Sequence, residues 1–295
     1  MPARVWQALA GVIVLLLVAV IGLDQWQARR GEASLFGPDL LGFGRTRTVA
    51  PTPASLPRFN PRPEPAPLPP GAPRVAVIVD DLGLRRDVFE LLREIRRPLT
   101  VAVRPGFPLS AVIARDATRA GLEVLLDLPM EPLSYPQEDP GPNALLASLG
   151  PIENARRLGF LLDRADGYVG VASYMGSRFE GTAELIQPVL QTLADRGLLF
   201  LANRSAPASE VPALAETLKL PWLSNDRFLD TEATRVAIDG RLQQLERLAR
   251  THKGAVAMGL GYPVTIERVG AWTETLGAKG ITLAPASALV GVAAP

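Results

Sequence analysis

Two adjacent carboxylates, Asp80 and Asp81, close one apolar run, and a third, Asp127, closes another. Arg104, Ser173 with Tyr174, and Asn203 with Arg204 stand at the ends of three more. Carboxylates confined at one strand end disfavour joint ionisation unless a cation compensates. Such a pair suits a division of labour in which one acid holds a metal and the other takes a proton, which is the chemistry of metal-assisted hydrolysis. The plainer alternative is that an Asp just after a strand caps the next helix.

These residues need a fold that gathers them. RVAVIVD (74–80), LTVAVRP (99–105), EVLLDLP (123–129), YVGVAS (168–173), LLFLANR (198–204) and AVAMGL (255–260) are short, Val- and Leu-rich runs that read as strands. Amphipathic stretches such as RRDVFELLREIRR, SAVIARDATRAG, IENARRLGFLLDRA and TAELIQPVLQTLADRG lie between them. A longer helix is predicted from Glu232 to the Gly254 stop. Near-continuous apolar strands separated by helices imply a mainly parallel sheet covered on both faces. Parallel α/β folds place ligand sites at the carboxyl ends of strands, so one rim would collect the polar residues above.

Composition narrows the chemistry further. The 295 residues are 47% hydrophobic and 21% charged, enough for one large core or two small ones. A net charge of +1 gives no bulk attraction to nucleic acid, and no nucleic-acid partner is expected. The absence of cysteine excludes disulfides, thiolate metal sites and a cysteine nucleophile, and a single histidine excludes a His–His metal pair. That histidine, His252, ends a predicted helix, where it faces the negative end of the helix dipole.

Residues 1–30 read as a membrane anchor. Between Arg4 and Asp24 lie nineteen residues without a charge. As a helix they measure about 28 Å, close to the hydrocarbon thickness of a bilayer. Asp24-Gln25-Trp26-Gln27 follows in place of a small-x-small cleavage site, which favours an uncleaved signal anchor. Residues 31–73 form a linker, and its stretch 51–73 holds ten prolines. Proline at that density favours extended polyproline II and a reach of roughly 70 Å. The folded domain is expected over 74–295. Arg29 and Arg30 after the span, against Arg4 before it, lean towards a cytoplasmic domain by the positive-inside rule.

VIVDDLG (77–83), LPMEP (128–132), MGSRF (175–179) and FLDT (228–231), in this order, resemble the divergent polysaccharide deacetylase family. The resemblance covers essentially all of 74–290. It implies a distorted (β/α) barrel of the polysaccharide deacetylase type with mostly parallel strands. It also implies a bacterial envelope protein: single-pass in the inner membrane, with its domain in the periplasm. In related deacetylases the first Asp of the pair is the general base, and the second binds a divalent metal together with two histidines. Asp80 and Asp81 match that pair.

The histidine positions depart from the pattern. Where members usually read HLPMEP, this chain has Asp127 before LPMEP, and where they read NNHMGSRF it has Ala172-Ser173-Tyr174 before MGSRF. The family's GHPYP appears as Gly259-Leu260-Gly261-Tyr262-Pro263, and Ala202 replaces an Asp on the strand before it. The losses fall on chemical positions while the surrounding glycines, prolines and Arg178 persist. The expectation is therefore a degenerate deacetylase with no cofactor, binding an envelope polysaccharide, a peptidoglycan fragment or an envelope protein. The alternative is an active hydrolase with Asp80 as base and a divalent metal (Mn, Mg or Zn) on Asp81 and Asp127. An oxygen-only ligand set suits Mg²⁺, Ca²⁺ or Mn²⁺ better than Zn²⁺.

Further rim residues are assigned to substrate: Glu131, Tyr174, Arg178, Asn203, Arg204 and Tyr262. Glu131, rigid between Pro129 and Pro132, could hydrogen-bond a sugar hydroxyl or hold its turn. Arg178 is expected to pair with Asp81 or Asp127. Tyr135, Tyr174 and Tyr262 could form sugar-stacking surfaces, and Asp230 is read as the cap of the long helix.

Overall fold

The computed structural model describes residues 71–203 and 208–292. The expected anchor, the linker up to residue 70, and Arg204 lie outside the described residues. Among the described residues no helix is long and apolar enough to cross a membrane.

The chain runs β1 (Arg74–Leu82), α1 (Arg86–Arg93), β2 (Thr100–Val103), α2 (Ser110–Arg119), β3 (Glu123–Met130), α3 (Gly150–Leu162), β4 (Gly170–Met175) and α4 (Ala183–Asp195). It continues with β5 (Leu199–Ala202), α5 (Val211–Leu218), β6 (Trp222–Ser224), β7 (Arg227–Phe228), α6 (Arg235–His252), β8 (Gly254–Leu260), α7 (Pro263–Thr273) and β9 (Thr282–Leu283). The six strands expected from their apolar runs are β1 to β5 and β8. Strands β6, β7 and β9 are two or three residues long, too short to leave a run in the sequence.

Every strand pairing is parallel, in the order β6-β5-β4-β3-β2-β1-β8-β7, with β9 added to β1. The two ends of this order, β6 and β7, are separated by only Asn225 and Asp226. The Asn225 N–H donates to the Ala202 carbonyl on β5 (2.8 Å), and the Asp226 N–H donates to the Val256 carbonyl on β8 (2.8 Å). One extended segment therefore pairs first with one edge of the sheet and then with the other. This curls the sheet into a distorted (β/α) barrel.

Alternation along the strands sorts side chains into two layers. Val75, Val77 and Val79 of β1, Val101 and Val103 of β2, and Leu126 of β3 pack outward with the helices, which contribute Phe89, Leu158, Ile186, Ile238 and Val269. Ala76, Ile78, Ala102, Leu125, Ala172, Leu201, Leu223, Val256 and Met258 fill the interior. Fully burying each Val, Leu or Ile is worth about 1.5–3 kcal/mol, so the strands are held by both faces. Ala284, Ala286 and Leu289 join the inner cluster from the chain's end. The Ala286 N–H donates to Thr100 Oγ1 (2.9 Å) and the Ser287 N–H to Glu123 Oε1 (3.0 Å), which seals the barrel at the strand starts. The opposite, carboxyl-end mouth carries the polar residues.

Candidate functional site

The interior layer ends in charge. Two residues beyond inward-facing Ile78, Ala102, Leu125 and Ala172 come Asp80, Arg104, Asp127 and Tyr174, which continue the same face. The β1–β2 register runs Ile78 to Thr100 and Val79 to Val101, then jumps to Leu82 opposite Val103, so β1 carries one extra residue. That bulge contains Asp80 and Asp81. Asp81 has φ of 62°, a left-handed conformation that Asp tolerates better than most residues, and its N–H donates to Asp80 Oδ1 (2.7 Å). Bulges commonly re-aim side chains at sites, and here one delivers two carboxyls to the mouth.

Asp80 and Asp127 meet across β2 as a buried pair. Burial, then the Asp80 charge, pushes the Asp127 carboxyl well above its ordinary range. Burial also raises Asp80, but less, because Asp127, the Asp81 N–H and Arg104 all stabilise its ionised form. Two carboxyls buried against one another disfavour joint ionisation. Apart from this contact, neither Asp127 oxygen has a hydrogen-bond partner.

The cation among these acids is Arg104. It leaves the end of β2, between the strands that carry Asp80, Asp81 and Asp127. Its Nη2 is 3.0 Å from Asp81 Oδ1, and its guanidinium carbon is 3.5 Å from the centroid of the Tyr174 ring. Neither Nε nor Nη2 makes a directed hydrogen bond, and the group is held by charge, by stacking and by a hydrogen bond with the Tyr174 side chain. Burial opposes its charge, but Asp127, Asp81 and Tyr174 outweigh that opposition and raise its pKa.

A divalent metal does not fit this arrangement. Among the described residues no group of three His, Cys, Asp or Glu side chains is placed to hold one. Asp80 Oδ1 is engaged by a backbone N–H, Asp127 faces Asp80, and Asp81 faces a guanidinium.

Of the residues assigned from sequence, Asp80, Asp81, Asp127 and Tyr174 come together. The remainder are placed differently. Arg178 does not pair with Asp81 or Asp127: its Nη1 lies 3.0 Å from Glu131 Oε1. Glu131 is buried, and its Oε2 accepts from the Ala147 N–H (2.6 Å), so the carboxylate holds its turn. Asn203 is buried too, with its N–H donating to Ser173 Oγ (2.9 Å) and its Nδ2 donating to the Ser173 carbonyl (2.8 Å). Tyr262 is 43% exposed just before α7, and Tyr135 is half-buried in the loop after β3.

Asp230 does not cap α6. Thr234 does, accepting from the Ala237 N–H (3.2 Å). Asp230 Oδ2 instead accepts from the Leu260 N–H and from Thr265 Oγ1, both at 2.7 Å, and ties the end of β8 to α7. His252 closes α6 and is exposed, as expected.

Two residues exceed the sequence reading. Arg104 was visible as a strand end two residues beyond Ala102, but its role depends on which strands flank β2. Glu180 is fully buried, contacts the Ser173 hydroxyl, and accepts from Ser209 (3.3 Å). Burial raises its pKa to about 7. Its only signal in the sequence is its place beside Phe179, in the turn between β4 and α4.

Parallel strands around an apolar interior, with a charged mouth at their carboxyl ends, define a (β/α)-barrel protein. The chain belongs to the divergent polysaccharide deacetylase family, which matches over residues 77–290. It is 27% identical over 220 residues to the uncharacterized protein YibQ of Escherichia coli strain K12, covering 74% of this chain and 68% of YibQ. The crystal structure of the uncharacterized protein ATU2773 from Agrobacterium tumefaciens C58 is similar with a TM-score of 0.73 and 32% identity, covering 76% of this chain and 92% of that one. A putative cellobiose-phosphate cleavage protein of Enterococcus faecalis V583 shares the fold, with a TM-score of 0.51 and 14% identity over 74% of this chain and 99% of that one.

Proposed function

We propose that this domain is a degenerate deacetylase, anchored in the bacterial inner membrane and facing the periplasm, that binds an envelope glycan without hydrolysing it. The ligand class follows from the family: an envelope polysaccharide or a peptidoglycan fragment. The observation that carries the reading is the guanidinium of Arg104 seated between Asp81 and the Tyr174 ring. Metal-dependent amide hydrolysis needs a Lewis acid and an activated water at that mouth. A guanidinium supplies positive charge but no open coordination position. Leu260 cannot protonate a leaving amine, and losing one acid–base group lowers rates by typically ~10²–10⁴. Tyr262, exposed at the rim, offers an aromatic face of the kind on which a sugar ring stacks.

The test pairs binding with turnover. Full-length protein should retain peptidoglycan fragments in a pull-down, and Tyr262→Ala should weaken that retention. Acetate release from N-acetylated oligosaccharides should stay at background with Mn²⁺, Mg²⁺ or Zn²⁺ added. Release that disappears in Asp80→Asn would establish instead the hydrolase with a metal held by Asp81 and Asp127. A reporter fused after residue 295 tests the periplasmic placement, and activity only of a cytoplasm-specific reporter would overturn it.

A further inference from the structure

We infer that the cleft between α2 and the loop joining α3 to β4 is a binding site for a phosphate group, held by Arg115, Arg119 and Arg164. It lies at the strand-start end of the barrel, opposite the mouth, and does not depend on the glycan reading. Three observations converge.

The first is shape. Arg115, Thr118 and Arg119 of α2 and residues 163–167 of the loop line a cleft of about 330 Å³, the size of a small-ligand site. The loop precedes Gly170, the first residue of β4, so it lies at the end where Arg74 begins β1. Gly167 has φ of 81°, and a Cβ there would meet Thr118 Oγ1 at 3.1 Å, so glycine lets the loop pass close against α2.

The second is uncompensated charge. Other helix arginines are paired with acids: Arg86 with Glu90 and Asp116, Arg235 with Glu267, Arg268 with Asp239. Among the described residues Arg115 and Arg164 have no such ion pair. Arg119 meets only Asp116, at 3.7 Å, and Arg86 already holds the other Asp116 oxygen at 2.7 Å. Arg164 is nevertheless set in place, with its guanidinium carbon 4.0 Å from the Phe160 ring centroid. Cations are favoured at helix carboxyl ends, which accounts for Arg119 and Arg164 but not for Arg115, in the body of α2. Planar guanidiniums around one cleft suit the oxygens of a phosphate.

The third is the loop itself. The N–H groups of Asp166 and Gly167 donate to no protein acceptor among the described residues, which leaves them for the oxygens of a ligand. Backbone donors beside cations are a common complement to phosphate. Asp163 and Asp166 line the same cleft. Their charge disfavours a bare polyanion and favours a phosphate that carries an ammonium, as a phosphoethanolamine headgroup does. The chain reaches the barrel from its proposed anchor at this same end, through Arg74. A lipid headgroup is thus one source of the phosphate, and free phosphate is the other.

The experiment titrates full-length protein with inorganic phosphate and with glycerophosphoethanolamine, read by calorimetry, with acetate as the control anion. Wild type should bind both phosphate ligands saturably and acetate more weakly. Arg115→Gln combined with Arg164→Gln should weaken phosphate binding by about tenfold or more, the usual cost of losing charge-assisted hydrogen bonds. Both side chains are exposed, so the melting temperature without ligand should stay that of wild type. Tighter binding of glycerophosphoethanolamine, with the preference removed by Asp163→Asn combined with Asp166→Asn, supports the site and makes a lipid headgroup the source. Equal or tighter binding of inorganic phosphate supports it with free phosphate as the source. Wild type that binds neither ligand saturably would overturn the inference. So would equal affinity for acetate, or undiminished binding by the double arginine variant. Peptidoglycan retention is measured separately, so its failure in wild type would defeat the proposed function and leave this result standing.

Discussion

The guanidinium carbon of Arg104 lies 3.5 Å from the centroid of the Tyr174 ring, and its Nη2 lies 3.0 Å from Asp81. One side chain from β2 is thus capped by an aromatic face from β4 and by an acid from β1. A partly buried carboxylate cluster usually needs a bound ion or protonation to persist. This barrel supplies a fixed cation, and the Tyr174 ring is packed against its face beside the acids.

The Tyr174 ring and hydroxyl both meet Arg104, and two substitutions separate them. Tyr174→Leu should lower unfolding free energy by about 1–2 kcal/mol, the usual worth of a desolvated cation–π contact. Tyr174→Phe keeps the face and should stay within about 0.5 kcal/mol of wild type. Urea denaturation measures both. An equal loss in the two variants would mean that the hydroxyl, and not the stack, is what counts.

Glu131 and Arg178 form a pair whose members should not be equivalent. Glu131 is buried and also accepts from the Ala147 N–H, whereas the Arg178 side chain is 53% exposed. Deleting the buried partner strands a backbone donor, which costs about 1–3 kcal/mol. Deleting the exposed partner removes a largely solvated contact worth ~1 kcal/mol or less. Glu131→Ala should therefore destabilise clearly more than Arg178→Ala in the same denaturation assay. The reverse order would show that Glu131 is not the turn's fastening.

How much of this was legible in the sequence depended on whether a signal was local. The Val-rich runs gave β1 to β5 and β8 because buried parallel strands need apolar residues on both faces. Asp80, Asp81, Asp127 and Tyr174 could be gathered because each ends such a run and parallel strands share one carboxyl end. The partner of Arg178 could not be read, since Glu131 and Asp81 are both rim acids and only the fold of the 131–147 turn separates them. Arg104 was seen but not understood: its role needs β2 to lie between β1 and β3, a fact of sheet order. Asp230 stands just ahead of a long helix, where an Asp usually caps. Nothing local shows that its oxygen reaches Leu260 and Thr265, some thirty residues away. The strands that join the two sheet edges were invisible because two or three residues cannot display a pattern.

The Asp230 contact leads to its own expectation. One oxygen accepts both the Leu260 N–H and the Thr265 hydroxyl, so Asp230→Ala leaves two donors unsatisfied where β8 turns into α7. A loss of about 2–3 kcal/mol is expected, with hydrogen-exchange protection falling first at residues 259–266. Thr265→Val, which removes one donor with its partner's other bond intact, should cost about 1 kcal/mol. A uniform loss of protection across the barrel would argue against a local strap.

Glu180 supplies a dependence on pH whose sign can be worked out. Burial, only partly offset by the Ser173 and Ser209 hydroxyls, raises its pKa from 4.5 to about 7. The folded state then holds this proton more tightly than the unfolded chain does. Its contribution is fully present below about pH 4.5 and is lost as pH rises through about 7. The difference amounts to about 3 kcal/mol at alkaline pH. Glu180→Gln resembles the protonated side chain at every pH, so it should match wild type near pH 5 and exceed it by about 2–3 kcal/mol near pH 8. Asp80, Asp127 and Asp230 also have raised values, but they are present in both proteins and cancel in the comparison. Chemical denaturation at the two pH values provides the measurement. A constant gap between variant and wild type would mean that Glu180 keeps one charge state across this range, its oxygens satisfied by more than the two serines.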